Sequence, residues 1–295
     1  MKTQLLWAVA VAGLVLPLHA AALNESTFTE VIKSVVVIAG TTKATTPAQA
    51  NELFRAPDLV RTGAGSRAEL TAPDQTITRV GANTVFSFEP AGRNLNLEKG
   101  SVLFHSPNGL GGGTIKSGGV AAAVLGTTLI VSATADGGFK VVLLEGKGQV
   151  TLPNGKSVTL KAGQLVYVLP GGTTFSAVLD INLERLVAGS LLVHGFSHEL
   201  PSLPLIQKAI ARQNSDLAAG RTVDTGVTAD NFVNPPARGN GLNTMDPGTY
   251  QVAAPPPLTP NQLSQLVNNH DPQKPEFGSP GGRGFTPIGS ATLKP

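Results

Sequence analysis

Between Leu59 and Leu169 apolar and polar residues follow one another in short, regularly interrupted runs. In Arg67-Ala68-Glu69-Leu70-Thr71-Ala72 every second side chain is apolar, the pattern of a strand with one face on a core and the other in water. Leu95 and Leu97, Val102 and Phe104, Val150 and Leu152, and Val158 and Leu160 repeat that spacing. Phe139 to Leu144 and Leu165 to Leu169 are apolar on both faces, which predicts central strands covered from both sides. Pro73-Asp74, Pro90-Ala91-Gly92, Asp136-Gly137-Gly138 and Pro153-Asn154-Gly155 separate the runs and supply the preset or positive φ of tight turns. Short strands at a spacing of roughly 8–12 residues predict an all-β meander, sandwich or solenoid-like stack.

Past Ser176 the period becomes helical. Leu183, Leu186, Val187 and Leu191 follow Asp180, with Gly189 and Gly195 as interruptions. Ser202 and Pro204 open a second helix that ends at Gly220. Leu205, Ile206, Ala209, Ile210 and Leu217 form its apolar stripe, and Lys208, Arg212 and Gln213 its polar side. This helix is expected to cover an open face or edge of the β stack, since its polar side has too few cations for a membrane-surface helix. From about Arg221 large apolar residues become rare and Pro235-Pro236, Pro255-Pro256-Pro257 and Gly281-Gly282 appear. Such a segment cannot offset its ordering entropy by burial and reads as a flexible tail, with transient structure at most over Leu258 to Val267.

The N-terminus has the form of a secretory signal. Lys2 gives the positive start, Leu5 to Leu18 the apolar stretch, Pro17 a break, and Ala20-Ala21-Ala22 the small-residue cleavage site. The competing reading is an uncleaved anchor, against which Pro17 and the Ala-x-Ala pattern stand. The expected organisation is a signal peptide (1–22), a β domain (23–178), a helical segment packed on it (179–220) and a Pro/Gly-rich tail (221–295). The 295 residues contain no Cys, so disulfides, a lipid-modified cysteine and thiol chemistry are excluded. That absence favours an exported bacterial envelope protein, periplasmic or secreted, held by its core alone. A net charge of +3 without any Lys/Arg run argues against nucleic acid.

A search for chemistry yields no catalytic, cofactor or metal site. His194 and His198 stand at i,i+4, but Gly195 interrupts the helix and no glutamate lies between them, so they read as surface or interface histidines. His105 follows Phe104 on a strand with no carboxylate near it in sequence, and His270 lies in the tail. Gly109 to Gly113 lacks the Lys-Ser/Thr of a phosphate loop and reads as a mobile hairpin connection. Asp58, Glu69, Asp74 and Glu98 read as single surface charges or turn residues. Gly81 to Ser87 aligns with Gly126 to Ser132, and Leu97-Glu98-Lys99-Gly100 with Leu144-Glu145-Gly146. This is either a duplicated unit or the ordinary reuse of strand turns.

The ordered punctuation Leu59 to Leu70, Val80 to Thr84, Leu97 to Gly100, Leu125-Gly126-Thr127, Leu144-Glu145-Gly146 and Leu160 to Gln164 resembles the FecR domain over about 120 residues. The resemblance implies a mainly β, stacked or solenoid-like periplasmic module. In signalling members it belongs to single-span proteins that pass an outer-membrane receptor signal to a cytoplasmic sigma factor. Here the apolar segment begins near Met1, and Leu125 stands where an arginine is expected before Gly-Thr. The expectation is therefore a stand-alone exported form: a non-enzymatic interaction module without cofactors or a stable membrane span. Its partner is an envelope protein, a glycan or a second copy. The alternative is a periplasmic component of FecR-type iron-uptake and sigma-factor signalling.

Limited proteolysis is expected to trim the chain to a core ending between Gly220 and Pro235. Protease resistance beyond Pro235 equal to that of the core would move the boundary.

Overall fold

A computed structural model describes residues 22–222, apart from 170 and 172. Residues 1–21, which hold most of the expected signal peptide, and residues 223–295 with 258–267 and His270, lie outside the described residues. In chain order the strands are β1 (Glu25–Ile32), β2 (Val35–Ile38), β3 (Thr45–Pro47), β4 (Leu53–Arg55), β5 (Leu59–Thr62), β6 (Arg67–Thr71), β7 (Ile77–Val80), β8 (Val85–Phe88) and β9 (Asn94–His105). They continue with β10 (Gly113–Ser117), β11 (Val120–Val124), β12 (Thr128–Ala133), β13 (Phe139–Glu145), β14 (Lys147–Thr151), β15 (Ser157–Lys161), β16 (Gln164–Val168) and β17 (Leu179–Asp180). Three helices follow: α1 (Leu183–Gly189), α2 (Leu191–His194) and α3 (Leu203–Ala218).

The hydrogen-bonded pairs fall into two stacked sheets. The first runs β4-β1-β6-β7-β9-β12-β13-β16-β17. The second runs β3-β2-β5-β8-β9-β10-β11-β14-β15. Strand β9 belongs to both, its first half pairing with β8 and β10 and its second half with β7 and β12.

Two kinds of turn build this arrangement. The Pro/Gly/Asn turns join neighbours within a sheet: β6 to β7, β8 to β9, β12 to β13 and β14 to β15. The glycine motifs instead mark where the chain crosses between sheets, at 63–66, 81–84, 99–100, 125–127, 146 and 162–163. Gly100 (φ +94°) lets β9 change sheets without a break, and a Cβ there would collide with Thr84. Gly126 (φ +62°) sits so close to the next corner that a Cβ would lie 2.8 Å from Asn108 Cα. The corners are cross-linked, as Ser106 and Thr127 exchange two backbone bonds of 3.1 Å and Gly81 N–H donates to the Ser101 carbonyl at 2.8 Å.

The two aligned sequence segments occupy comparable places in this scheme with the sheets exchanged. Gly81 leads from the first sheet into β8 of the second, whereas Gly126 leads from the second into β12 of the first.

Alternation explains the core. Leu95, Leu97, Val102, Phe104, Leu129, Val131, Val141 and Leu143 point between the sheets, where Phe54 packs within 6.0 Å of Phe28, Phe86 and Phe88. Leu103, Ile130, Val142, Leu144 and Leu165 point the other way, into a second core closed by the helical segment. That segment contributes Ile181, Leu183, Leu186, Val187, Leu192, Val193, Leu200 and Ile206, all buried. At roughly 1.5–3 kcal/mol for each fully buried apolar side chain, this area is the main force holding the helices on the sheet. The first sheet is thus covered on both faces, as the apolar run of β13 predicts. Asn182 caps α1 by accepting from Arg185 N–H at 2.9 Å.

Three sequence expectations change in the folded chain. The polar face of β6 is not in water, for Glu69 is 4% exposed beneath the helices. Gly109 to Gly113 is no hairpin, because β10 runs parallel to the first half of β9 and the loop crosses between sheets. On α3, Ile206 faces the core but Leu205 is 44% exposed, while Gln213 turns inward, accepting from Leu183 N–H at 2.9 Å and donating to the Ile181 carbonyl at 2.8 Å. Ile206, Ala209 and Ile210 keep the expected stripe, with Leu203 in place of Leu205 against the core.

Gly126→Val is expected to lower stability by about 1–3 kcal/mol, since it meets both a positive φ and a close backbone. A urea midpoint equal to wild type would contradict the corner geometry.

Candidate functional site

The helices cover only the first sheet's outer face. On the second sheet the outward residues of adjacent strands line up through the register: Asn94 opposite Thr114, Thr114 opposite Ala123, Ala123 opposite Gln149, and Gln149 opposite Thr159. A parallel row holds Asn96, Lys116, Ala121, Thr151 and Ser157. All ten are partly or fully exposed. The small alanines of β11 lower the middle of this face and leave a trough of about 510 Å³, rimmed by Arg93, Leu125 and Lys147.

The trough offers mainly hydroxyl and amide groups, with the exposed Lys147 on its rim as a cation that makes no ion pair among the described residues. Lys116 Nζ donates to Glu89 at 2.9 Å, and with Asn94 it holds the Glu89 carboxyl below the usual range. Arg93 is tied to Asp74 at 2.6 Å, to Thr76 Oγ1 at 2.8 Å and to the Gly112 carbonyl at 2.6 Å. Leu125, 79% exposed at its corner, occupies a position where a charged side chain would reach water, which is why an arginine is also compatible there.

On the covered face lies a buried ion pair. Arg79 Nε donates to Glu69 at 2.7 Å, and the side chains are 0% and 5% exposed. Its other nitrogens donate to the carbonyls of Leu192 (3.1 Å), Val193 (2.6 Å) and His198 (2.5 Å), with the Phe196 ring 4.5 Å away. Burial pulls the Arg79 pKa down while Glu69 opposes it. Glu69 is therefore a structural anchor rather than a surface charge. His198 contributes its carbonyl to this clamp, and its ring Nδ1 lies 3.2 Å from Ser197 Oγ. His194 and His198 are both exposed, and among the described residues no third ligand joins them.

One cross-strand row of the first sheet, Ile77-His105-Thr128-Glu145, brings together groups far apart in sequence. His105 Nδ1 lies 3.0 Å from Thr128 Oγ1, which is 2.9 Å from Glu145 Oε1 and 2.8 Å from Ser202 Oγ. Burial depresses the His105 pKa to about 4, with Arg79 adding to the effect. Burial also raises the Glu145 carboxyl, against the hydroxyl and N–H of Thr128. Ser202 precedes α3 but makes no side-chain cap bond, its hydroxyl being turned to Thr128 instead. His105 thus reaches a carboxylate only through the Thr128 hydroxyl, a relay that the sequence alone does not reveal. Asp58 and Asp74 hold turns, accepting from Gly40 N–H at 2.9 Å and Thr76 N–H at 3.0 Å, and Glu98 is exposed.

The fold is that of a two-sheet β module with glycine corners, a polar open face and a helical cover. Residues 58–149 match the family described as FecR protein. The chain therefore carries a FecR domain, and the match runs from the start of β5 into β14. Two crystal structures of a "putative anti-sigma factor" from Parabacteroides distasonis ATCC 8503 are similar at 18% identity, with TM-scores of 0.40 and 0.39. The alignments cover 44% of this chain and 63% and 62% of those chains. No curated protein matches. Among the described residues no helix is long and apolar enough to cross a membrane.

The depressed His105 pKa fixes a pH dependence. Between about pH 6.5 and 4 the unfolded chain takes up a proton that folded His105 refuses. This contribution to stability is full above that window and is lost as pH falls through it, by at most about 3 kcal/mol. Glu145 acts oppositely, its contribution being lost as pH rises through its raised pKa. His105→Gln should flatten the acid limb of the denaturation midpoint against pH, and an unchanged limb would refute the assignment.

Proposed function

We propose that the protein is an exported, non-enzymatic binding module of the bacterial envelope. It holds an extended, uncharged partner with many hydroxyl or amide groups, a glycan strand, along the trough of the second sheet. The observation that carries this reading is the row Asn94-Thr114-Ala123-Gln149-Thr159. Four inter-strand steps of about 4.8 Å give it a length of about 19 Å, enough to meet an extended chain at several successive points. Neutralisation of Lys116 by Glu89 and of Arg93 by Asp74 favours a partner recognised by hydrogen bonds. Export is supported by the secretory form of the N-terminus.

The second reading is a component of FecR-type signalling that meets a receptor protein on the same face. It is supported by the family match, which includes β8 to β11 and most of β14.

Mature protein used as bait on envelope extract should recover glycan, and recovery of an outer-membrane receptor would select the second reading. Gln149→Ala with Thr159→Ala should weaken the recovered interaction about tenfold or more, two hydrogen bonds contributing roughly 1 kcal/mol each. Affinity should change less than about threefold between low and physiological salt. A steep salt dependence would refute recognition by hydrogen bonds along the trough.

A further inference from the structure

Beneath the first turn of α3, and sharing no residue with the trough, lies a cavity of about 230 Å³. Its polar lining includes His105, Ser106 and Glu145, and its apolar lining includes Pro107, Pro201 and Leu205. From these groups we propose that the cavity is a receptor for a primary ammonium group carried on a short aliphatic stem.

Three observations converge on that ligand. Glu145 is 6% exposed, and although it also borders a cleft that holds Lys147, Lys161, Lys208 and Arg212, among the described residues it has no salt bridge and only Thr128 bonds its carboxyl. A buried carboxyl without a counter-charge is costly, and a ligand cation relieves that cost. Ser106 is 1% exposed and its Oγ has no hydrogen-bond partner.

The third observation is a count of protons. Thr128 Oγ1 has one hydrogen and three polar neighbours, His105, Glu145 and Ser202. Ionised Glu145 cannot donate, so the single Thr128 hydrogen is directed to Glu145 and Ser202, and Thr128 accepts from His105. His105 is then protonated on Nδ1, and its Nε2 is left as an acceptor. An ammonium has three N–H donors, and the cavity supplies three acceptors of matching kind: the Glu145 carboxylate, Ser106 Oγ and His105 Nε2. The lining contains no Lys or Arg, so an anion would meet the Glu145 carboxylate with no counter-charge beside it. Leu205, 44% exposed, supplies an apolar wall for the stem.

The amine has two possible sources, a lysine side chain of a partner protein or an amino sugar. The test titrates mature protein with n-butylammonium, n-butanol, Nα-acetyl-lysine methylamide and glucosamine, read by calorimetry and amide chemical shifts. Saturable binding of n-butylammonium that tightens from pH 5 to pH 8, with none for n-butanol, is expected. Glu145→Gln should weaken it at least about tenfold, the scale of one charge-assisted bond, and Ser106→Ala severalfold, with circular dichroism unchanged. Preference for the lysine derivative or for glucosamine identifies the source. Gln149→Ala should leave this binding intact, which separates it from the trough. Equal binding of n-butanol, unchanged affinity in both folded variants, or no saturable amine binding would overturn the proposal.

Discussion

Arg79 has no water to satisfy it, and every donor on its guanidinium that meets a partner does so across the boundary between sheet and helical segment or across strands. Glu69 on the neighbouring strand takes one N–H, and the carbonyls of Leu192, Val193 and His198 take others. Those carbonyls sit at the end of α2 and just beyond it, where helix carbonyls lack intrahelical partners. The clamp therefore solves two unsatisfied-group problems at once and joins residues more than a hundred positions apart. Its net contribution to stability is small, because desolvation offsets most of the attraction, whereas removing one partner would cost about 3–5 kcal/mol. Apolar burial fastens the helical segment, and the clamp decides where.

That register has consequences for both candidate sites. By placing the helices over the first sheet it leaves the second sheet's outer face open, and the trough is the consequence. It also sets the start of α3 over the row His105-Thr128-Glu145, where Ser202 abandons helix capping to join the polar cluster. Glu30 reinforces the same placement from β1, accepting from the N–H and hydroxyl of Ser197 at 2.9 Å and 2.6 Å.

The glycine motifs carry the architecture in a different way. Each crossing transfers the chain between sheets, so consecutive hairpins add to alternate sides and the stack grows with a continuous interior. A sequence of glycines spaced between strands announces that something must turn sharply. Whether the turn stays in one sheet or crosses to the other depends on which strand is already waiting to pair, and that partner is distant in sequence. The same limit applies to Gln213, which on α3 sits on the polar side by pattern yet pins the helix to β17 and α1.

Alternation and turn chemistry are local, and they determined the β class, most strand positions, the helical segment after Ser176 and the resemblance to FecR domains. The run at β13 even foretold a cover on both faces, since an apolar face left in water would be unstable. What the sequence could not decide was which polar residues are buried. Glu69, Arg79, His105 and Glu145 are each separated by ten or more residues from at least one group they meet, and only sheet register and helix docking make them neighbours. A charge in a strand is spelled the same whether it faces water or a covering helix, so burial, pKa and the cavity at Glu145 belong to the tertiary structure, where long-range packing sets the dielectric and supplies the partners.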